Sequence, residues 1–403
     1  MRSRMRTGGR SIARRWTACR LGMRGDSIRR LIIGCAVVIA VALLLVCASD
    51  RGAGGATSPG KGSAADAPVP LPKAVDYSGY LTFIRKQTGG GCGTMASLAI
   101  FDILKEKEYP YAPDGSYRFA AYVYNDRQIN QLEVMKQYGC CSESSLHTDA
   151  DPESQAPPSP ENYEEASIYR IGDYAPELIG RVTVDDLKKC LYLYGPIFAC
   201  GDTPGSWEWA HCFAIVGYDD DKGEFTIVNS FGDRWGSGGM MKMPYSNVTN
   251  PPAFGTSPRV GSYRWVKDGP TSRIVPYTGR VRIHHTIARR YLTVKVGVEG
   301  QEPVVIWDRP DSVIHLDDSQ NLVLDFPLPP YAGKFWPPGD RNLWYVEIRD
   351  GSPGPPAEEI GVVQGVTLAW RRAGKPPVLY RPTTAGISIP RGGTVKISEL
   401  TRQ

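Results

Sequence analysis

Residues 211–239 read HCFAIVGYDDDKGEFTIVNSFGDRWGSGG, and this stretch decides the fold prediction. It contains two largely apolar runs, 211–218 and 224–230, which are separated by the turn-forming residues DDDKG. Apolar runs of this length that are bounded by turn residues are typical of strands. The stretch therefore predicts two successive strands, with His211 at the start of the first and Asn229 near the end of the second.

A second stretch, residues 85–93, reads RKQTGGGCG and leads into a predicted helix over residues 94–108. The helix prediction rests on apolar residues at helical spacing, followed by a charged Lys-Glu-Lys end. Cys92 follows three glycines at the point where the chain enters this helix. Because the N-terminus of a helix favours negative charge, this position favours a thiolate.

Together the two stretches supply the residue types that a cysteine hydrolase needs. Such an enzyme uses a thiolate nucleophile, an imidazole base, a group that orients the second ring nitrogen, and donors for the oxyanion. Cys92, His211 and Asn229 are candidates for the first three roles. The side-chain amide of Gln87 is a candidate oxyanion donor, together with the backbone N–H of Cys92. A lone cysteine is usually a small buried residue, so the prediction rests on the four residue types occurring together.

Residues 75–93 and 211–239 resemble the papain-like cysteine peptidases, and the segments YGCCSES (138–144) and YRIGDY (169–174) resemble the bacterial members of that family. The resemblance implies an α+β fold. It implies a two-lobed catalytic domain over residues 74–268, in which a helical lobe faces a β-barrel lobe.

The resemblance also implies a role for each candidate site residue. Cys92 corresponds to the nucleophile and His211 to the general base and acid. Asn229 corresponds to the residue that orients the imidazole, and Gln87 to the oxyanion donor. Phe231 stands where the family has a tryptophan that shields the hydrogen bond between histidine and asparagine.

Further residues of the site follow from the same resemblance. Trp235 matches the second tryptophan of the family segment. The implied substrate-binding residues are Cys200, Trp209, Ala210 and Cys212. Cys200 and Cys212 are expected on strands that line the pocket for the substrate side chain two positions before the cut. They either floor a small apolar pocket, bridge it with a disulfide, or are buried residues that face the core.

Three features depart from the family pattern. Gln87 and Cys92 are five steps apart where the family has six, and Gly93 replaces a tryptophan. A different alignment places Met95 at the nucleophile position, which would make the protein an inactive homologue. We favour Cys92, because that alignment keeps the apolar pattern of the following helix and needs one deleted residue.

The chain ends are predicted to differ from this central part. Residues 1–48 are predicted to be a basic leader plus a signal peptide or membrane anchor, since Leu31–Ala48 has no charge and follows Arg29 and Arg30. Translation starts at Met1 or Met23. Either start places the body outside the cytoplasm, secreted or anchored to the membrane by residues 31–48.

Two further segments complete the predicted organisation. Residues 49–73 are rich in Gly, Ala, Ser and Pro and are predicted to be a flexible linker. Short β-rich runs separated by Pro and Gly recur over residues 273–403, which predicts an all-β sandwich domain.

Charge and metal-ligand spacing exclude other classes of function. Residues 1–48 hold ten of the 47 basic and one of the 42 acidic residues, so the rest of the chain carries a net charge of −4. A mildly acidic body argues against nucleic-acid binding. His284-His285 lacks further ligands at metal-binding spacing, and Asp219–Asp221 lacks the spacing of a calcium loop. We expect no metal and no cofactor.

The sequence therefore predicts an exported cysteine endopeptidase that cleaves peptide bonds through a Cys-His-Asn triad and a thioester acyl-enzyme. The expected partner is a peptide or protein substrate, with the membrane as a second partner if the N-terminal segment is not cleaved. One alternative is a catalytically dead papain-like protein that acts as a binding or scaffold module at the cell surface. Another is acyl transfer to an amine instead of water.

Overall fold

Helices dominate the first part of the chain, and strands dominate the remainder. The computed structural model describes residues 70–87, 90–146, 157–179, 182–203, 211–249, 258–272, 275–308, 317–338, 344–355, 359–372 and 375–403. The predictions for residues 1–48, for the linker up to residue 69, and for Trp209 and Ala210 lie outside these ranges. Among the described residues, no helix has the length and apolar character needed to cross a membrane.

Six α-helices occur in the described residues. They are α1 (Cys92–Glu108), α2 (Tyr117–Arg127), α3 (Gln131–Gln137), α4 (Pro160–Ala166), α5 (Val184–Tyr194) and α6 (Ser246–Thr249). The sequence pattern of residues 117–138 predicts one or two helices, and the structure has two, because Gln128 adopts a left-handed conformation that ends α2. Asn130 then caps α3 by accepting a hydrogen bond from the backbone N–H of Glu133.

The strands are distributed between the two parts of the chain. The first part contains β1 (Ala74–Asp76), β2 (Tyr169–Tyr174), β3 (Leu178–Ile179), β4 (Ile197–Asp202), β5 (His211–Asp219), β6 (Glu224–Val228), β7 (Met240–Pro244) and β8 (Arg259–Ser272). The second part contains β9 (Tyr277–His285), β10 (Leu292–Val298), β11 (Val304–Asp308), β12 (Asn321–Pro327), β13 (Trp344–Asp350), β14 (Glu359–Arg372), β15 (Lys375–Pro382), β16 (Ile387–Pro390), β17 (Thr394–Ile397) and β18 (Leu400–Arg402).

An eight-stranded sheet in the order β2-β8-β4-β5-β6-β7, with β1 on β5 and β3 on β8, organises the first part. Strand β5 separates two hydrophobic cores. Phe213 and Ile215 belong to a core with α5, whereas Ala214 and Val216 belong to a core with α1. Since successive side chains of a strand point to opposite faces, β5 is apolar on both faces, as its near-continuous apolar sequence predicts. The described chain is thus α+β.

The long strand β8 was not predicted from the sequence. It pairs with β2 over its C-terminal part and with β4 over its N-terminal part, and it ends at Ser272. The strand therefore continues past residue 268, where the predicted catalytic domain ends. Residues 70–403 form one compact unit, and the predicted division into domains 74–268 and 273–403 stays a prediction.

Two antiparallel sheets make up the second part. One has the order β11-β10-β13-β17, and the other has the order β12-β9-β14-β15-β18 with β16 on β14. Side chains from both sheets share a single hydrophobic core, which includes Trp307, Phe326 and Trp344. One of the short β-rich runs from which the sandwich is predicted, residues 313–316, lies outside the described residues.

A segment from the first part of the chain enters this second core. Phe83 is buried there, with its ring edge-on to Trp307 at a centroid distance of 5.7 Å. The Arg289 guanidinium lies 4.6 Å from the centre of the Phe83 ring and donates a hydrogen bond to the backbone oxygen of Ile84 (2.6 Å). The segment that leads to Gln87 and Cys92 is therefore held by the second part of the chain.

Buried charges join the two parts as well. Arg280 on β9 forms ion pairs with Asp325 on β12 (2.5 Å) and with Glu106 on α1 (2.7 Å). The Asp325 carboxylate is fully buried. Its backbone N–H donates to Asp114 of the first part (2.8 Å). Removing one charge from such a group leaves its partner buried and uncompensated, which is costly.

Candidate active site

Cys92 is the first residue of α1, at the end of the glycine turn. A Cβ atom at Gly91 would lie 2.2 Å from the phenol oxygen of Tyr117, so only glycine fits immediately before the cysteine. Gly93, which replaces the family tryptophan, faces the Gln131 side chain, 2.7 Å from where a Cβ atom would lie. The amide end of Gln131 thus occupies the space beside the helix start.

The structure brings His211 and Asn229 together. The imidazole Nε2 lies 2.7 Å from Asn229 Oδ1, and both residues are buried. Asn229 Oδ1 also accepts from the backbone N–H of Ser230 (2.8 Å), while Asn229 Nδ2 donates to Thr203 Oγ1 (3.1 Å). These partners fix the amide so that its oxygen faces the ring. His211 Nε2 therefore carries the proton, and Nδ1 is available towards Cys92.

Phe231 covers this hydrogen bond. Its ring stacks on the His211 imidazole at a centroid distance of 4.9 Å and an angle of 28°. Trp235 meets Phe231 edge-on at 5.9 Å. The aromatic pair keeps solvent away from the bond between His211 and Asn229, which strengthens that bond electrostatically.

Gln87 is anchored to Ser230, which follows Asn229 just after the end of β6. Its backbone N–H donates to the backbone oxygen of Ser230 (2.7 Å), and the Ser230 hydroxyl donates to Gln87 Oε1. Lys86 and Phe231 form a β-bridge next to this contact. Because the amide is planar and its oxygen is engaged, the nitrogen of the Gln87 amide is the atom oriented to donate.

The loop after Phe231 is fixed by the second part of the chain. The Asp233 carboxylate accepts hydrogen bonds from the backbone N–H groups of Gln320 (3.1 Å) and Asn321 (2.7 Å). The backbone N–H of Asp233 donates to Ser319 Oγ (3.3 Å), and Lys86 pairs with Asp318. Residues 317–321 therefore hold both segments that flank the histidine–asparagine pair.

The thiol of Cys92 contacts both Cys212 and His211. Hydrogen bonds from the Cys212 side chain and from His211, together with the His211 charge, lower the pKa of Cys92 to about 4, against the opposing effect of burial. Burial instead raises the pKa of Cys140 and Cys141, and raises that of Cys190 to about 12. Cys92 is thus in the environment expected of a reactive thiolate, and these other three cysteines are in that of inert thiols.

Met95, the alternative for the nucleophile position, lies one turn further along α1. It is buried in the core beside Leu98 and Ala99. Its backbone N–H closes the first helical turn on the oxygen of Gly91 (3.0 Å). The contact with His211 is made by Cys92.

Cys200 and Cys212 are directly opposite each other on β4 and β5. Both are half-buried, both are free thiols, and both pack against the core that contains α1. The structure therefore has no bridge between them. Trp209 and Ala210, the other expected pocket residues, fall in the segment 204–210, outside the described residues.

Sequence reasoning missed two residues of the site, Thr203 and Ser230, and it missed one contact of the expected pocket residue Cys212. Thr203 and Ser230 fix the Asn229 amide, and the Cys212 thiol contacts the nucleophile. Ser230 had a signal, since it follows Asn229 directly; Thr203 lies 26 residues before Asn229 and had none. Among the described residues, no group of three or more His, Cys, Asp or Glu side chains is arranged to hold a metal ion.

The known proteins that this chain is similar to are a peptidase-like protein and two cysteine proteases. No protein-family model matches the chain. An uncharacterized peptidase C1-like protein, L477, of Acanthamoeba polyphaga mimivirus is 25% identical over an alignment of 222 residues, and the match covers 45% of this chain and 70% of that protein. The chain resembles the papain-like cysteine peptidases. The chain is also similar to two solved structures of cysteine proteases.

The first is xylellain, a cysteine protease from Xylella fastidiosa, with a TM-score of 0.39 and 22% identity; the match covers 49% of this chain and 87% of xylellain. The second is digestive procathepsin L 3 from the larval midgut of Tenebrio molitor. Its TM-score is 0.38 and its identity 16%, and the match covers 49% of this chain and 71% of that one.

Proposed function

We propose that this papain-like protein is a cysteine endopeptidase with Cys92 as nucleophile. The observation that carries the proposal is the Cys92 thiol, which contacts a His211 imidazole whose other nitrogen is held by Asn229. Activation of a thiol by a base that a third group orients is the pattern of nucleophilic catalysis.

The proposed reaction has two stages. The Cys92 sulfur attacks the carbonyl carbon of a peptide bond, and protonated His211 gives its Nδ1 proton to the leaving amine. Water, activated by the now neutral imidazole, then hydrolyses the thioester and restores the thiolate. Asn229 accepts from His211 Nε2 throughout, which supports the charged ring and holds its orientation.

Two hydrogen-bond donors position the oxyanion in the proposed reaction. Negative charge develops on the carbonyl oxygen during both stages and needs donors that are already in place. The backbone N–H of Cys92, at the start of α1, is one such donor. The Gln87 amide nitrogen is the second donor. The contacts of Gln87 with Ser230 hold it beside the residue that follows Asn229.

We further propose the architecture and location that go with this activity. The catalytic part is two-lobed, with one lobe around α1 and the other around the core of β5 and α5. The second part is a β-sandwich of two sheets that share one core. The uncharged run 31–48 after two arginines supports export of the body, with a peptide or protein as substrate.

The second candidate is a dead papain-like protein that acts as a binding or scaffold module at the cell surface. Gly93 and Phe231, which replace two tryptophans of the family pattern, favour it. In the structure Phe231 still covers the His211 ring, and Gln131 fills the space at Gly93. Both substitutions are therefore compatible with activity.

Labelling with an epoxysuccinyl inhibitor tests the proposed function. We expect one label per chain on Cys92, none in Cys92→Ala, and a large loss in His211→Ala, because the attacking species is the thiolate that His211 stabilises. Intact-mass spectrometry and peptide mapping measure the result. Absence of label on the folded, reduced wild-type protein would favour the dead module instead.

The pH dependence of alkylation tests the thiolate. With the pKa of Cys92 at about 4, we expect its alkylation by iodoacetamide to rise through about pH 4 and then level off. The midpoint should move to higher pH in His211→Ala. It should move at least as far in Cys212→Ala, since the Cys212 hydrogen bond is the largest cause of the lowered pKa. A wild-type midpoint near that of an ordinary thiol, about 8.5, would contradict the proposed thiolate.

A further inference from the structure

Three thiols, those of Cys92, Cys212 and Cys200, lie near one another at the site, and only Cys92 forms a covalent bond in the proposed peptidase reaction. Cys92 contacts Cys212, and Cys212 lies opposite Cys200 on the neighbouring strand. Directly opposite residues of an antiparallel pair point to the same face, and their Cα atoms are about 4.5 or 5.5 Å apart. Both separations are within the range that a disulfide spans, about 4.4–6.8 Å.

The face that these thiols share is the one towards α1. Along β5 the side chains of Ala214 and Val216 pack in the core of α1, and Cys212 packs against that same core. Cys200 on β4 does so too. Cys212 therefore stands between the nucleophile and Cys200.

We propose that Cys92, Cys212 and Cys200 form a thiol relay that takes a peroxide as its oxidant and moves the resulting disulfide away from the nucleophile. The inference rests on the proposed function in one respect, which is that Cys92 is the reactive thiolate. The relay is a modification site of three cysteines with two successive disulfides, Cys92–Cys212 and Cys200–Cys212.

The first step oxidises Cys92. Its thiolate sulfur attacks one peroxide oxygen, so that an S–O bond forms and the O–O bond breaks. The sulfur loses two electrons and becomes a sulfenic acid. The other peroxide oxygen leaves as hydroxide, which becomes water by taking a proton from a buffer acid in the solvent. Cys212 is the poorer target for peroxide, because its contacts with Cys200 and Cys92 and its burial raise its pKa and keep it as a neutral thiol.

The next two steps move the oxidation. Cys212 attacks the sulfenic sulfur, the S–S bond forms, the S–O bond breaks, and the hydroxide leaves as water with the Cys212 proton. Cys200 then loses its proton to solvent and attacks the Cys212 sulfur. The Cys200–Cys212 bond forms and Cys92 leaves as a thiolate. Cys92 is the better leaving group because its pKa is about 4, and thiols of lower pKa leave faster.

Peptide mapping of the full chain tests the relay without any activity measurement. The reduced protein receives two equivalents of hydrogen peroxide, because the sulfinic acid needs two peroxide molecules per thiol. It is then quenched with catalase, alkylated under denaturing conditions and digested without reductant. We expect the Cys200–Cys212 disulfide to accumulate in the wild type while Cys92 stays alkylatable. Sulfinic acid at Cys92 in the wild type, with no disulfide at Cys212, would overturn the relay.

Variants separate the steps. In Cys200→Ala we expect the product to stop at Cys92–Cys212, so that Cys92 alkylation is lost and dithiothreitol restores it. In Cys212→Ala we expect Cys92 to reach the sulfinic acid about tenfold faster than in the wild type, and dithiothreitol should not reverse this. Serine replacements repeat the test if an alanine variant does not fold.

Two controls complete the design. Cys190→Ala removes a thiol in the other core and should give the wild-type map. In Cys92→Ala the Cys200–Cys212 disulfide should form much more slowly; an unchanged rate would overturn Cys92 as the point of entry. A protein that forms the disulfides but takes no epoxysuccinyl label would overturn the peptidase proposal alone. A labelled protein without the disulfides would overturn the relay alone.

Discussion

Cys92→Ser is expected to lower kcat/KM by about 10⁴-fold or more, the scale seen when the nucleophile of a triad is removed. The serine hydroxyl fits the site at the start of α1, but it remains protonated where the thiol of Cys92, with its pKa at about 4, is ionised. The geometry would thus survive while the nucleophile would not. Hydrolysis of an unfolded protein such as casein, or of a fluorogenic peptide library, measures the loss.

The matched control for this substitution is Cys190→Ser. Cys190 is a buried cysteine on α5, in the core away from α1. Under conditions in which the variant is fully folded, we expect its kcat/KM to stay within about a factor of two of the wild-type value, even if its unfolding midpoint falls. Activity of Cys92→Ser above one tenth of the wild-type value would show that another residue attacks the substrate.

The largest effect on stability is expected for Arg280→Met. The substitution keeps a long apolar side chain but removes the charge that neutralises Asp325 and pairs with Glu106. A buried carboxylate left without its partner costs about 3–5 kcal/mol. Denaturant unfolding followed by circular dichroism should show this decrease in the free energy of unfolding.

Two further variants make this stability prediction specific. Arg282→Met changes an exposed arginine on the same strand and should cost no more than about 0.5 kcal/mol. The double variant Arg280→Met with Asp325→Leu removes both buried charges and should regain most of the lost stability. Equal losses for Arg280→Met and Arg282→Met would refute the assigned importance of the buried pair.

Part of this fold could be predicted from local patterns. The apolar pattern of residues 184–194 predicts a helix and matches α5, and the strand predicted at 211–218 agrees with β5 to within one residue. These segments have strong apolar periodicity and clear boundaries, such as the capping Thr183 before α5.

Strand β8 could not be predicted in the same way. Its sequence, RVGSYRWVKDGPTS, contains two glycines, a proline and several charges, which locally indicate a turn. The strand forms because β2 and β4 supply hydrogen-bonding partners on both sides. Tertiary pairing therefore overrides local preference there.

The candidate site, too, could be predicted only in part. The pairing of His211 with Asn229 followed from the resemblance to papain-like peptidases, and so did the place of Gln87. The contact of Cys212 with Cys92 depends on which face of β5 meets α1. A strand that is apolar on both faces gives no pattern from which that choice can be read.

The burial of Phe83 in the second core has a consequence for attempts to trim this protein. A shortened chain that stops near residue 272 would expose the Phe83 ring and the backbone oxygen of Ile84 to water. Both lie a few residues before the glycines that precede Cys92. Such a fragment would be expected to aggregate or to lose the shape of its oxyanion donors. The β-rich part of the chain thus holds the segment that leads to Cys92. The smallest unit worth purifying therefore extends to the C-terminus.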